Sequence, residues 1–338
     1  MLYIFITVDT EGTNGNDPFE QLILGKTNNN GYWGVGKIID LADPFDYKVT
    51  FFVDVYEQSL WGKEAFKKLC LDIKQRGHDV QLHAHPGWSD SKPVDSEYLQ
   101  NLKRKKSMYD CKRAGMSMYS YEDQIKIIKD GIEMIETWTG RRPVAFRCGG
   151  YHVNDDTIKA LCSCGLFIDS SMFWNNSDSK INWSKNKIIK KKEMVEIPVT
   201  LLEKAYRLKI GKIKIKRATE YLKTDINWLS LDELKSYVRQ ALKHNLKAMT
   251  LFMHSYSLIK PASKDKIWKT FDPDHEAADR LTDFFKFLKN QKNIKVLSVE
   301  EFASLYKDQP DFFTGSDYLP KIDCEYGIRD KIKGLELF

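Results

Sequence analysis

Gly77-His78-Asp79-Val80-Gln81-Leu82-His83-Ala84-His85-Pro86 reads as a short strand that ends in two histidines. Side chains alternate faces along a strand, so residues two apart point the same way. His83 and His85 therefore project together, with Val80 and Leu82 on the face opposite His83 and Gln81. Pro86 has no N–H to give and ends the ladder just after the pair. Imidazole is a common ligand for zinc and similar divalent ions. Hydrogen bonding inside a core is the alternative for one histidine. A His-x-His pair at a strand end puts metal binding ahead.

A metal site of this kind wants a carboxylate, and the first strand supplies one. Leu2 to Val8 is a near-continuous apolar run, as expected of a strand buried on both faces of a parallel sheet. It closes in Asp9-Thr10-Glu11-Gly12, with Asp9 and Glu11 again two apart. An acidic, glycine-containing turn would look similar. Two strands that both end in same-face polar pairs point instead to a site, because α/β active sites lie at the carboxyl ends of parallel strands.

The rest of the chain alternates strand and helix. Tyr47 to Val55 reads as a second strand, and Lys63 to Arg76 as a helix capped by Gly77. Ser120 opens a long helix that ends at Gly140, and Phe146-Arg147 lies in a fourth strand. Leu166 to Met172 and Glu193 to Leu201 read as further strands, and Lys247 to Met253 as one ending at His254. Ile294 to Leu297 is the last. About seven such repeats predict a parallel sheet closed into a (β/α) barrel with right-handed crossovers. One unit over residues 1–308 is expected, with a polar insertion or lid at 90–118 and a basic insertion at 202–229. Residues 309–338 read as a tail without clear period, and Lys209 to Lys216 as a small edge hairpin.

Bulk properties narrow the class. Of 338 residues, 42% are hydrophobic, ample for a large core. A net charge of +6, from 53 Lys and Arg against 47 Asp and Glu, does not call for nucleic acid. The basic run Lys185 to Lys192 reads as a solvated turn. No apolar run is long enough to span a bilayer, and no export signal is evident at the N-terminus. The six cysteines form no Cys-x-x-Cys pair. Together these features predict free thiols in a reducing cytoplasm.

The chain resembles the polysaccharide deacetylase, or NodB-homology, family. The resemblance rests on six segments in order: Thr7-Val8-Asp9-Thr10-Glu11-Gly12, Val49 to Val53, Gly77 to His85, Pro143 to Tyr151, Ile168-Asp169-Ser170-Ser171 and Leu251 to Ser255. It implies a distorted (β/α) barrel with an incomplete set of strands. It implies hydrolysis of an N-acetyl group on a sugar, assisted by a divalent metal, most simply zinc. Carried over residue by residue, Asp9 matches the base, and Glu11, His83 and His85 the metal ligands. His254 matches the acid that protonates the leaving amine, Arg147 an arginine that holds the base, and Asp169 an acid that orients the histidine or the arginine. Two departures stand out. Thr10 separates two acids that the family has adjacent, and Gly87 stands four after His83 where the family has its second histidine. The roles of Asp9 and Glu11 are therefore exchangeable.

A cytoplasmic setting would suit a nucleotide- or lipid-linked intermediate of surface polysaccharide synthesis better than a finished wall. Deformylation or ester cleavage on a related carbohydrate is one alternative. Non-catalytic carbohydrate binding on the same scaffold is another.

Overall fold

A computed structural model describes residues 1–12, 19–86, 115–173, 184–210, 213–262 and 270–327. The expected lid at 90–118 lies outside them except for its last four residues.

The sheet is organised on β1, Leu2–Thr10, which is buried along its whole length. Its neighbours are β2, Val49–Asp54, and β10, Ala248–His254, both parallel to it. From β2 the sheet continues through β3 (Asp79–Ala84), β4 (Ala145–Cys148), β5 (Ile168–Asp169) and β7 (Met194–Glu196), all parallel. A short antiparallel strand, β6 (Ile189–Lys191), ends it. β13 (Ile294–Val296) pairs with the start of β1, parallel. The sheet curls into a barrel of the expected kind, NodB-like and left incomplete.

No ladder joins β7 to β10 among the described residues. Threonines close the gap: Thr250 donates to the carbonyl of Pro198 at 2.7 Å, and Thr200 and Thr224 share a 2.7 Å hydrogen bond. A barrel wall sealed by side chains in this way can leave room that a closed ladder would not.

The two faces of the strands carry separate cores. Outward residues such as Ile4, Val8, Phe51, Leu82 and Met253 pack under the helices. Those helices are α1 (Val35–Ala42), α2 (Lys63–Gln75), α3 (Tyr121–Thr139), α4 (Asp155–Ser163), α5 (Leu231–Lys243) and α6 (His275–Lys289). Ser120 caps the start of α3, and Gly140 ends it in the left-handed conformation at φ 67°, where glycine carries no steric penalty. Inward residues differ by level. Phe5, Phe52, Ala145 and Ile168 meet Val299, Phe302 and Ala303 of α7 (Val299–Asp308), which plugs the lower end. Above this plug the inward positions turn polar: Thr7, Asp9, Asp54, His83 and Arg147.

Four expectations about elements are corrected. The strand expected over Leu166 to Met172 pairs only at Ile168–Asp169, because the Ser170 carbonyl is taken by the Arg147 side chain. The strand expected over Glu193 to Leu201 stops at Glu196, before Pro198, and a new strand begins at Leu201. The small hairpin expected at Lys209 to Lys216 is the tip of a longer one, β8 (Leu201–Ile210) with β9 (Ile213–Lys223). The expected tail also contains a strand, β14 (Lys321–Gly327), which pairs parallel with β8 as a third member of that sheet.

Candidate metal centre

Register places the site. Asp9 sits opposite His254, Asp54 opposite His83, and His83 opposite Arg147. Asp9 itself faces Phe52, so Asp54, His83 and Arg147 follow two residues further along the sheet, and all five inward polar residues lie above the apolar plug.

Glu11 is the centre of the cluster. Its Oε2 lies 2.5 Å from His85 Nε2 and 3.3 Å from His83 Nε2, and its Oε1 lies 3.6 Å from His254 Nε2. The ligand atoms of Glu11, His83 and His85 all fall within 4.8 Å of one another, and all three side chains are buried. Burial opposes ionisation of Glu11, but the imidazoles of His85 and His83 outweigh it and hold the carboxyl well below its usual range. Burial would likewise lower His83, yet Asp9 and Glu11 lift it to about 9. A group of one carboxylate and two imidazoles that attract a shared positive charge is the donor set of a divalent metal.

The tautomers fit that use. His83 Nδ1 lies 2.8 Å from the Arg147 carbonyl, which can only accept. Nδ1 therefore carries a proton, and Nε2 faces Glu11 with a second proton that a bound metal would displace, the usual orientation behind a metal-bound histidine. Among the described residues His85 Nδ1 is buried with no hydrogen-bond partner, and only its Nε2 is engaged. The His85 ring lies against Gly149, where any Cβ would overlap it. His85 is fixed from behind by Asp54, whose Oδ2 accepts its backbone N–H at 3.1 Å.

Asp9 faces a different partner. Arg147 Nη1 donates to Asp9 Oδ1 at 2.7 Å and to Thr7 Oγ1 at 3.1 Å. The same guanidinium donates to the Ser170 carbonyl and hydroxyl, and lies 4.1 Å over the Phe52 ring. It is wholly buried. Asp169 lies one step further out. It accepts from Ser171 at 2.5 Å and shares a hydrogen bond with Glu196, and burial pushes it up to about 6. Its described hydrogen bonds do not run to Arg147 or His254.

His254 is a quarter exposed and stacks on Tyr256 at 4.7 Å. Burial pushes its pKa down to about 4, against the pull of Glu11 and Asp9. His78, expected to be structural, accepts from Val49 N–H and contacts Asp43, away from the cluster.

Three buried charges at or near the site carry no role in the sequence reading. Asp54 ends β2 as Asp9 approaches the end of β1, and burial lifts it to about 6. The same signal, an acid closing an apolar strand, could have found it. Glu57 accepts the Gly12 N–H on both oxygens and is pushed well up, first by burial and then by Asp54. Lys223 ends β9 among aromatic rings, and nothing distinguishes it in sequence from the lysines around it.

An incomplete, mostly parallel (β/α) barrel with a buried His-His-Glu cluster at its upper end defines the structural class. Residues 29–167 match the family model described as polysaccharide deacetylase. The matched segment takes in His83, His85 and Arg147; Asp9, Glu11 and His254 lie outside it. Among solved structures, the chain is similar to a Mycobacterium smegmatis protein assigned as a polysaccharide deacetylase, with TM-score 0.53 and 16% identity over 95% of each chain. It is also similar to a 4-alpha-glucanotransferase from Thermococcus litoralis, with TM-score 0.50 and 11% identity over 90% of this chain and 40% of that one. A family 4 acetyl xylan esterase from Clostridium thermocellum, in complex with a cobalt ion, gives TM-score 0.42 and 13% identity over 90% and 93%. No curated protein matches. At these identities the first two structures speak for the fold alone.

Proposed function

We propose that this chain is a metal-dependent hydrolase that removes an N-acetyl group from a sugar. The observation that carries the reading is the convergence, at the upper end of the barrel, of a His-His-Glu set with a second carboxylate, Asp9, clamped by a buried arginine. Glu11, His83 and His85 would hold the ion, for which zinc suits the donors best. An ion bound there supplies a polarised carbonyl and an acidified water.

The protein's own groups do the rest. Asp9 takes a proton from the attacking water, and Arg147 fixes the carboxylate in place for that transfer. Asp169 and Glu196 back the wall that carries Ser170 and so position the arginine. His254 passes a proton to the departing amine. At neutral pH its resting imidazole is uncharged, so it must first receive a proton. The proton that Asp9 removes from water is the one the cycle makes available, and Asp9 and His254 are register partners.

We place the substrate among N-acetylated carbohydrates, in keeping with the family, and more narrowly among nucleotide- or lipid-linked intermediates of surface polysaccharide synthesis. The described cysteines are free thiols, which supports a cytoplasmic setting. No helix among the described residues is long and apolar enough to cross a membrane.

The test is elemental analysis with acetate release. Wild type should carry one divalent ion per chain and release acetate from an N-acetylated sugar. The His83→Ala/His85→Ala double variant should do neither. Equal metal in both proteins would remove the assignment of the ligands. Metal without acetate release from any N-acetylated sugar would favour binding alone.

A further inference from the structure

Lys223 is an unusual lysine. It is 7% exposed, and its ammonium lies 3.8 Å from the Phe252 ring centre, 4.8 Å from Trp228 and 5.3 Å from Tyr151. Its one described hydrogen bond is donated to the Tyr151 hydroxyl at 3.2 Å. Among the described residues, two of its three N–H groups meet no acceptor and no carboxylate lies within ion-pair distance of it. Asp225, two residues on, is occupied in accepting the Asn227 N–H at 2.8 Å. Buried charges are normally paired, and aromatic faces compensate a cation only in part.

Its place is fixed rather than incidental. Thr224, the next residue, is clamped to the barrel: its hydroxyl donates to the Thr250 carbonyl, and its carbonyl accepts the Phe252 N–H at 2.9 Å. The Phe252 ring forms a shared floor. Lys223 lies over it, Arg147 lies 5.6 Å from it, and the His254 ring meets it edge-on at 4.9 Å. Burial depresses the lysine, while Asp225, Asp9 and Glu11 draw on its charge. Trp228, half exposed, forms the outer wall and offers a face on which a sugar ring can lie.

We propose that Lys223, walled by Tyr151, Trp228 and Phe252, recognises an anionic group, a carboxylate or a phosphate, on the carbohydrate whose acetamide is presented to Glu11, His83 and His85. The inference rests on the carbohydrate reading above and narrows it to acidic sugars. The anion completes the coordination of the ammonium that the protein leaves open, and Trp228 carries the ring between the two subsites.

Binding can be measured in Asp9→Asn protein, in which turnover does not consume the probe. Three probes separate the cases: N-acetylglucosamine, its 1-phosphate, and N-acetylmuramic acid with its lactyl carboxylate. Tryptophan fluorescence reports the Kd of each. At least one anionic probe should bind about ten- to a hundredfold tighter than the neutral sugar, the span of a charge-assisted hydrogen bond. The phosphate and carboxylate arms identify which anion is taken. Lys223→Met should bring that ratio to within about twofold of one, and Lys223→Arg should keep most of it. In the protein with Lys223 intact, added salt should shrink the ratio, a reading that needs no folded Lys223 variant. Anionic probes no tighter than neutral, or a ratio that survives Lys223→Met, overturn the proposal. Acetate release by wild type with a ratio near one removes the anion subsite and leaves the deacetylase. A preserved ratio without acetate release does the reverse.

Discussion

Replacing Arg147 by methionine removes one side of a buried ion pair and tests how Asp9, the proposed base, is held. The guanidinium gives hydrogen bonds to Asp9, Thr7 and both oxygens of Ser170, and the Asp9 carboxylate has no other described hydrogen bond. Asp9 is 4% exposed, so water replaces the lost partner poorly. Breaking such a pair costs about 3–5 kcal/mol, most of it the penalty of an uncompensated buried charge. Asp9→Asn should cost less, about 1–2 kcal/mol, since the arginine keeps Thr7, Ser170 and its stack on Phe52. The informative protein is the double variant. With the carboxylate neutralised as well, the penalty for leaving it alone disappears. The double variant should therefore be more stable than the sum of the two singles by about 2 kcal/mol or more. Urea unfolding of all four proteins in chelator, followed by fluorescence at matched m-values, measures this without interference from metal. Additivity within about 0.5 kcal/mol would mean that Asp9 and Arg147 do not act as a pair and would sink the account of how the base is positioned.

Three further outcomes are expected. His254→Asn should keep its metal and lose about a hundred- to ten-thousand-fold in amide turnover, the span of general acid–base catalysis, with a smaller loss on an ester, whose leaving group needs less help; loss of metal would make His254 a ligand instead. Gly149→Ala should displace the His85 ring and weaken metal affinity about ten- to a hundredfold while the far-UV spectrum is kept, and unchanged affinity measured against a competing chelator would refute the packing argument. Asp79, raised to about 6 first by burial and against the hydrogen bond from Gln81, binds its proton more tightly folded than unfolded. Its contribution is thus present at low pH and lost as pH rises from about 4 to 6, about 3 kcal/mol in all. The stability difference between wild type and Asp79→Asn should fall across that window, and a flat difference would contradict the assignment.

The barrel and the clustering of Glu11, His83 and His85 were legible because both follow from short-range pattern. Apolar runs such as Leu2 to Val8 name buried parallel strands, and the spacing of two in Asp9/Glu11 and His83/His85 gives the shared face directly. Asp54 had the same signature, an acid closing an apolar run, but no second polar residue two positions away to draw attention to it. The hairpin was read too short because its period-two alternation is plain only near Lys209 to Lys216, whereas its root is set by threonine contacts with β10, distant in sequence. Lys223 was invisible for the same reason. One lysine in a basic segment becomes special only when Phe252 and Trp228 are brought around it. The extent of β5 was overestimated because a side chain, not a neighbouring strand, takes the Ser170 carbonyl.

The parallel pairing of Lys321–Gly327 with Leu201–Ile210 has a consequence for how the protein is made. A ribosome delivers β8 and β9 first, and the partner that covers the other edge of β8 emerges only after Lys321. At ordinary elongation rates that edge stays bare for about 5–20 s, with its N–H and C=O groups open to another chain. The barrel strands β1 to β10 are all translated within that interval or before it. The nascent chain can thus hold Glu11, His83 and His85 in place while the sheet that roots Lys223 is still missing a strand. Arrested nascent chains ending before and after residue 327 should differ in their tendency to associate, and should differ little in protease resistance of the barrel itself.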